Sequence, residues 1–290
     1  MPHGRWATAL DFLSERLPRV SRDEWHRRLL AREVFDGAGQ TVAPDARLRA
    51  GQHLHYYRDL PDEAPIPFEE HIVFQDEWLV VADKPHFLPV TPTGPYVQQS
   101  LLVRLKRRLG LDTLQPIHRI DRETAGLTVF AVQPATRDAY HGLFRERAVT
   151  KTYEAIATAP GTLAFPRVHR NRIEEDAGAF FRMVEAPGEP NSETRIALLE
   201  VRGDLARYAL QPLSGRRHQL RVSMNALGLP ILGDQFYPTV RRGPREAEDF
   251  SQPLQLLARS LAFTDPVTGQ ARAFESRRTL DWGAAAPAPG

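Results

Sequence analysis

From His71 to Glu275 short apolar runs alternate with polar punctuation, the pattern of many strands broken by a few helices. Ile72-Val73-Phe74 and Leu79-Val80-Val81-Ala82 flank a polar turn and predict a hairpin. Further strands are predicted at Leu127 to Val132, Lys151 to Thr158, Thr194 to Val201, Ala206 to Gln211 and Leu256 to Phe263. Asp265-Pro266-Val267-Thr268-Gly269 is a turn into a last strand, Ala271 to Glu275. Between Gln98 and Leu109 the period changes: Leu101, Leu102, Leu105 and Leu109 share one helical face, and Gly110 stops it. A second helix is predicted from Thr136 to Arg147.

Residues 1–58 read as a separate small module. Ser21 and Glu24 have the spacing of a capping box, so a helix should begin near Arg22. Trp25, Leu29 and Leu30 give it an apolar face, and Arg22, Arg27, Arg28 and Arg32 populate the others as a candidate basic surface. Short strands are expected near Val34-Phe35 and from His53 to Tyr57. The acid- and proline-rich stretch 59–70 reads as a linker, residues 71–280 as an α/β domain, and 281–290 as a disordered tail. No internal repeat is visible.

At 290 residues the chain is long enough for one large or two modest domains with a sizeable core. Cysteine is absent, which excludes disulfides and thiolate metal sites and fits a reducing cytoplasm. No apolar run reaches the roughly 18–20 residues of a membrane span, and the N-terminus lacks a signal-like stretch. The 38 basic residues are almost all arginine, giving a net charge of +2 and a pI of 9.0. Arginine suits phosphate recognition, but a GC-rich genome yields the same bias. Charge therefore permits nucleic-acid binding without requiring it.

The chemistry concentrates in His118-Arg119-Ile120-Asp121-Arg122-Glu123-Thr124-Ala125-Gly126-Leu127. One carboxylate lies between two cations in sequence, an arrangement that favours an anion able to act as nucleophile or base beside an anionic substrate. Three other segments carry polar residues in ordered patterns. They are Val80-Val81-Ala82-Asp83-Lys84-Pro85 with Val90-Thr91-Pro92, Phe144-Arg145-Glu146-Arg147 with Val149, Lys151, Tyr153 and Ala155, and Leu213 to Val222 followed by Leu229 to Tyr237. Lys151, Tyr153 and Ala155 share one face of their strand.

Taken together and in order, these four segments resemble the RluA-type pseudouridine synthases, over roughly residues 71–276. The family's central pattern is His-Arg-Leu-Asp-x-x-Thr-Ser-Gly-Leu; here Ile120 replaces Leu and Ala125 replaces Ser. Residues 87, 91 and 223 also depart from it, with Phe87 for Gly, and Thr91 and Ser223 each where His is common. The first module more loosely resembles the alpha-L RNA-binding module, through Leu10-Asp11-Phe12-Leu13, Leu17-Pro18 with Ser21-Arg22, and Ala50-Gly51-Gln52.

The resemblance implies an α/β (α+β) pseudouridine synthase fold, with a mixed, mostly antiparallel central sheet and flanking helices. It implies isomerisation of specific uridines in structured RNA, ribosomal RNA before transfer RNA. Asp121, Tyr153 and Arg221 are the implied catalytic residues, with Arg221 paired to Asp121. Arg119, Arg122, Lys151, Arg216, His218 and Gln219 are the implied RNA contacts, joined by Arg22, Arg27 and Arg28 of the module. The reaction changes no oxidation state, so no cofactor and no metal are expected. A monomer is expected, acting on RNA and not on a membrane. Two other readings compete. One is a catalytically inactive RNA-binding or ribosome-assembly protein on the same fold. The other is a metal-dependent nuclease or phosphatase using Asp83, Asp121 and Asp234.

Overall fold

The structure, a computed structural model, describes residues 6–18, 20–49, 51–56, 63–243, 246 and 249–283. The chain divides into two compact units, Met1–Pro61 and Asp62–Gly290.

In the first unit, helices α1 (Ala9–Arg16) and α2 (Arg22–Leu30) precede a small antiparallel pair, β1 (Val34–Asp36) and β2 (Leu54–Tyr56). Trp25 is its fully buried centre, packed with Leu13, Leu29 and Val34 and edge-on to Tyr56 at 4.9 Å. The Ser21 side chain caps α2 as expected, accepting from the Glu24 amide at 3.2 Å. Glu24 does not close the box. Its carboxylate takes Arg27 at 2.7 Å and Arg28 at 2.6 Å instead. Tyr57, expected to end the second strand, lies outside the described residues, and α1 was not foreseen as a helix.

The second unit begins with the hairpin β3 (His71–Gln75) and β4 (Leu79–Lys84). Helix α3 (Leu101–Leu109), the short β5 (Gln115–Pro116), β6 (Ala125–Ala131) and helix α4 (Arg137–Arg145) follow. Then come β7 (Thr150–Thr158), β8 (Arg167–Glu175), β9 (Met183–Ala186), β10 (Ser192–Arg202) and β11 (Leu205–Pro212). Helix α5 (Gln219–Ala226) and strands β12 (Leu256–Thr264) and β13 (Ala271–Glu275) complete it. Among the described residues these strands form one eleven-stranded sheet in the order β3-β4-β6-β12-β7-β11-β10-β8-β9, with β5 and β13 joined to β6 and β12. Every pairing is antiparallel except β6 with β12.

Strands β4 and β6 are buried along their whole length, and largely apolar, because both faces are covered. Val80 and Ala82 of β4 face Leu101 and Leu105 of α3, while Leu79 and Val81 face Tyr140 of α4. On the other half of the sheet, Leu220 and Met224 of α5 pack on Ala155, Ile196, Tyr208 and Leu210. The α3 helix starts three residues later than its leucine pattern suggested, because Glu63 takes the amides of Gln98 and Gln99, each at 2.7 Å.

That contact also revises the expected linker. Residues 63–70 are built into the second unit: Ile66 is buried, and Arg104 donates to the Ile66 carbonyl at 2.9 Å and the Phe68 carbonyl at 2.7 Å. The expected tail is held at its start as well. The Asp281 amide donates to Gln255 at 2.7 Å and Arg202 lies over the Trp282 ring at 4.5 Å. Residues 284–290 lie outside the described residues.

One glycine decides how the sheet closes at the site. Gly126 has φ +109°, and a Cβ there would stand 2.3 Å from the Ala258 carbonyl oxygen, its register partner on β12. Gly126→Ala is therefore expected to cost about 2–3 kcal/mol from positive φ and backbone clash together. In a domain of this size that lowers Tm by roughly 4–12 °C. Thermal unfolding checks it, and an unchanged Tm would refute the close approach.

Candidate active site

Register brings three parts of the chain together. Tyr153 on β7 pairs with Ala258 on β12, and Ala258 pairs with Gly126 on β6. The loop entering β6 carries Asp121, so the nucleophile candidate and Tyr153 line one cleft of about 1040 Å³. Its far wall is the turn into α5, which supplies Arg221.

The Asp121 loop is gripped from beneath. Lys84 at the end of β4 is fully buried, and its Nζ donates to the carbonyls of Pro85 (2.9 Å), Leu88 (2.8 Å) and Arg122 (2.9 Å). His86 Nδ1 donates to the Glu123 carbonyl at 2.8 Å. Burial draws Lys84 down to about 7, against the pull of Glu123 and Asp121, and draws His86 down to about 4. Neither residue had been singled out in the sequence, although Lys84-Pro85 lies in the first of the four segments.

Arg221 is 1% exposed and its guanidinium is shared among three carboxylates. Asp234 holds it on two sides, at 2.8 Å to Nε and 2.6 Å to Nη2. The remaining Nη1 points between Asp121 Oδ2 at 3.5 Å and Glu123 at 3.7 Å, and makes no hydrogen bond. Burial works against the charge, but Asp234 outweighs it and Arg221 is held firmly cationic. The expected pairing of Arg221 with Asp121 is present as an ion pair, while the tighter partner is Asp234. Asp234 is in turn fixed by the amides of Phe236 (2.9 Å) and Tyr237 (3.2 Å).

Opposite lies Tyr153. Burial, and then the charge of Asp121, push its phenol well above the ordinary value, so it is a neutral phenol. Lys151 lies two residues before it on the same strand face, drawn down by burial and by Arg147. His118 accepts from the Val129 amide at 3.2 Å through Nε2 and stacks on Phe144 at 4.6 Å. Burial and then Lys151 draw it down to about 3, so it is neutral at working pH.

Comparison with known proteins agrees with this arrangement. Residues 78–226 match the family model described as RNA pseudouridylate synthase. The chain belongs to this family. It is 33% identical, over 71% of its length and 92% of the relative's, to the dual-specificity RNA pseudouridine synthase RluA of Haemophilus influenzae. It is 28% identical to an uncharacterized RNA pseudouridine synthase of Synechocystis, over 79% of this chain and 78% of that one. Among solved structures, human RNA pseudouridylate synthase domain containing 4 is similar at TM-score 0.55 and 29% identity, covering 73% of this chain and 88% of that one. This pseudouridine synthase is thus an isomerase that converts uridine to pseudouridine in RNA.

The remaining residues named from the sequence divide into exposed and buried or paired groups. Arg119 and Arg216 are exposed along the cleft of the synthase. Arg122, which sequence order placed against Asp121, turns instead to Glu123 at 2.9 Å and lies over the Tyr96 ring. Gln219 is buried with its whole amide engaged: Nε2 donates to the Glu193 carbonyl and Thr194, and Oε1 accepts from Ser214 and the Arg216 amide. It shapes the loop that presents Arg216. His218 is also buried, in the left-handed conformation at the start of α5, with Nδ1 3.1 Å from the Tyr237 hydroxyl. In the first unit Arg22 pairs with Asp11 at 2.7 Å, and Arg28 is buried against Glu24. The basic face expected on α2 is therefore largely neutralised by its own carboxylates.

The nuclease reading finds no free carboxylate trio. Asp83 is taken by Ser276, the Arg277 amide and Arg278, and Asp234 by Arg221.

Glu123 has a measurable consequence in this synthase. Burial works to raise it, but the guanidiniums of Arg122 and Arg221 outweigh burial and hold it at about 2. Its folded value lies below an unfolded one near 4.3. Its stabilisation, about 3 kcal/mol at most, is complete above roughly pH 5 and fades as pH falls toward 2. Glu123→Gln is expected to flatten this part of the acid limb of a denaturation series. An acid limb identical to wild type would contradict it.

Proposed function

We propose that Asp121 is the catalytic carboxylate, Arg221 the group that aims it, and Tyr153 the residue that meets the extruded base. The observation that carries this reading is the free Arg221 Nη1, fixed 3.5 Å from Asp121 by a guanidinium that Asp234 holds on its other two nitrogens. A cation so immobilised keeps one carboxylate at one point of the cleft while the substrate changes around it.

The reaction breaks the bond between ribose carbon 1 and uracil nitrogen 1. The base turns, carbon 5 joins the ribose, nitrogen 1 gains a proton and carbon 5 loses one. Attack by Asp121 on ribose carbon 1, attack on uracil carbon 6, and removal of a ribose proton each ask for the same thing, an ionised carboxylate held at the target nucleotide. Reaching that nucleotide requires extruding it, at a cost on the order of a few kcal/mol, least in loops. Arg119, exposed at the cleft, suits the place left in the stack. Lys151 and Arg216 suit the flanking phosphates. Tyr153, a neutral phenol on the cleft wall, suits contact with the base and assistance in the loss of the carbon 5 proton.

The reading extends to ribosomal RNA as the main target and to a monomer acting in the cytoplasm. A separate N-terminal unit with an alpha-L-like pattern supports the first. No helix among the described residues is long and apolar enough to cross a membrane. The test is tritium release from carbon-5-labelled uridine in unmodified ribosomal and transfer RNA. Release from ribosomal RNA at the higher kcat/KM supports the assignment, and preference for transfer RNA overturns it. Removing residues 1–58 is expected to weaken binding to ribosomal RNA or shift the modified positions. An unchanged modification map would make the module dispensable.

A further inference from the structure

We propose that Phe180 is a stacking platform for an unpaired base near the target uridine; this rests on the RNA-modifying reading and extends it to a part of the substrate outside the catalytic cleft. Phe180 is 78% exposed, the most exposed large hydrophobic side chain among the described residues. It stands at the tip of the β8–β9 hairpin, residues 176–182. A single exposed ring needs no explanation by itself; what marks this one is the way its backbone is held and tied to the cleft.

The tip is a built structure. The Asp176 amide donates to the Arg182 carbonyl at 3.2 Å, Arg182 returns to the Ala179 carbonyl at 2.7 Å, and Asp176 caps the Gly178 amide at 2.8 Å. Arg217 then ties it to the active site. Its Nη1 donates to the Phe180 carbonyl at 3.1 Å and its Nη2 to the Phe181 carbonyl at 2.7 Å, while the same residue lines the cleft beside Asp121. The backbone is thus pinned at Phe180 while its ring is left out.

An aromatic chain runs from this ring toward the site. Phe180 meets Phe181 edge-on at 5.6 Å, Phe181 packs on Phe236 at 5.2 Å, and Phe236 stacks on His218 at 5.9 Å. His218 lines the cleft. The partner that fits an exposed ring whose backbone is held by a cleft-lining arginine is a nucleotide of the RNA substrate whose base stacks on Phe180. A fully paired helix offers no such base, so the platform selects loops or bulges.

The test compares full-length wild type with Phe180→Ala, Phe180→Leu and Phe180→Trp. The probes are in vitro transcribed ribosomal and transfer RNA carrying 5-tritiated uridine, and a fully paired RNA duplex without loops. Because the side chain is exposed, all variants should unfold at the wild-type Tm. Phe180→Ala and Phe180→Leu are expected to weaken binding to the looped RNAs, and raise KM, by about 10-fold with kcat retained. Phe180→Trp should bind as wild type, and duplex binding should not change. The salt dependence of binding should keep its slope, since no phosphate contact is lost.

Equal affinity of Phe180→Ala and wild type for looped RNA overturns the proposal, as does equal weakening on the duplex. A wild-type dimer that Phe180→Ala converts to monomer would assign the ring to a second copy of the chain and also overturn it. If wild type releases no tritium, the synthase reading fails, but the binding ratios still decide the role of Phe180.

Discussion

Asp121→Ala is expected to lower tritium release from 5-labelled uridine by a factor on the order of 10⁴ or more, the loss typical of removing a group on which the chemistry turns. RNA affinity should stay within about threefold of wild type, because the carboxylate is an anion in a cleft whose RNA contacts are cations, and deleting it removes no attraction to phosphate. Asp121→Asn is the sharper form of the test. It preserves shape and one acceptor oxygen and removes the charge that faces Arg221 Nη1 at 3.5 Å. If charge at that point is what matters, Asn should be nearly as inactive as Ala. Turnover within tenfold of wild type in either variant would move the nucleophile elsewhere, and Glu123, 3.7 Å from the same nitrogen, would be the next carboxylate to test.

The parts of this fold that could be read from the sequence are those where local pattern and tertiary environment agree. Strands β4 and β6 lie in the interior of the sheet, and their apolar runs announce them; α3 is announced by four leucines and the Gly110 stop. Strands β8 and β9 went unseen because β8 carries charged or polar side chains on both faces along Arg167–Glu175. It is a strand because β10 pairs with it, which is a tertiary fact. The site divides in the same way. Asp121 is marked by its own motif, but the cation beside it is not its sequence neighbour Arg122. That residue spends its charge on Glu123, and Arg221 arrives from a helix far along the chain. The grip of Lys84 and His86 on the backbone of residues 122 and 123 depends on β4 ending beneath the loop, which no spacing along the sequence reveals.

Asp234→Ala carries the largest expected effect on stability. Its carboxylate makes both short contacts to Arg221, and neither partner has access to water. Removing it leaves a buried guanidinium whose two released nitrogens cannot be hydrated, a situation that costs about 3–5 kcal/mol. For a domain of this size that is a fall in Tm of roughly 6–20 °C. The chemistry should suffer as well, because a guanidinium released by Asp234 will be drawn onto Asp121 and Glu123. It would then form with them the direct hydrogen bonds that the wild-type geometry withholds. Activity is therefore expected to fall even at temperatures where the variant is folded. Asp234→Asn, which still accepts one hydrogen bond and fills the same volume, should recover part of the stability. Arg221→Lys keeps the charge but loses the planar fork, and should not rescue either property. In a double-mutant cycle, Asp234→Ala and Arg221→Met should be strongly non-additive, because the second substitution removes the stranded charge that makes the first so costly. A wild-type Tm for Asp234→Ala would mean that the pair does not hold the site together.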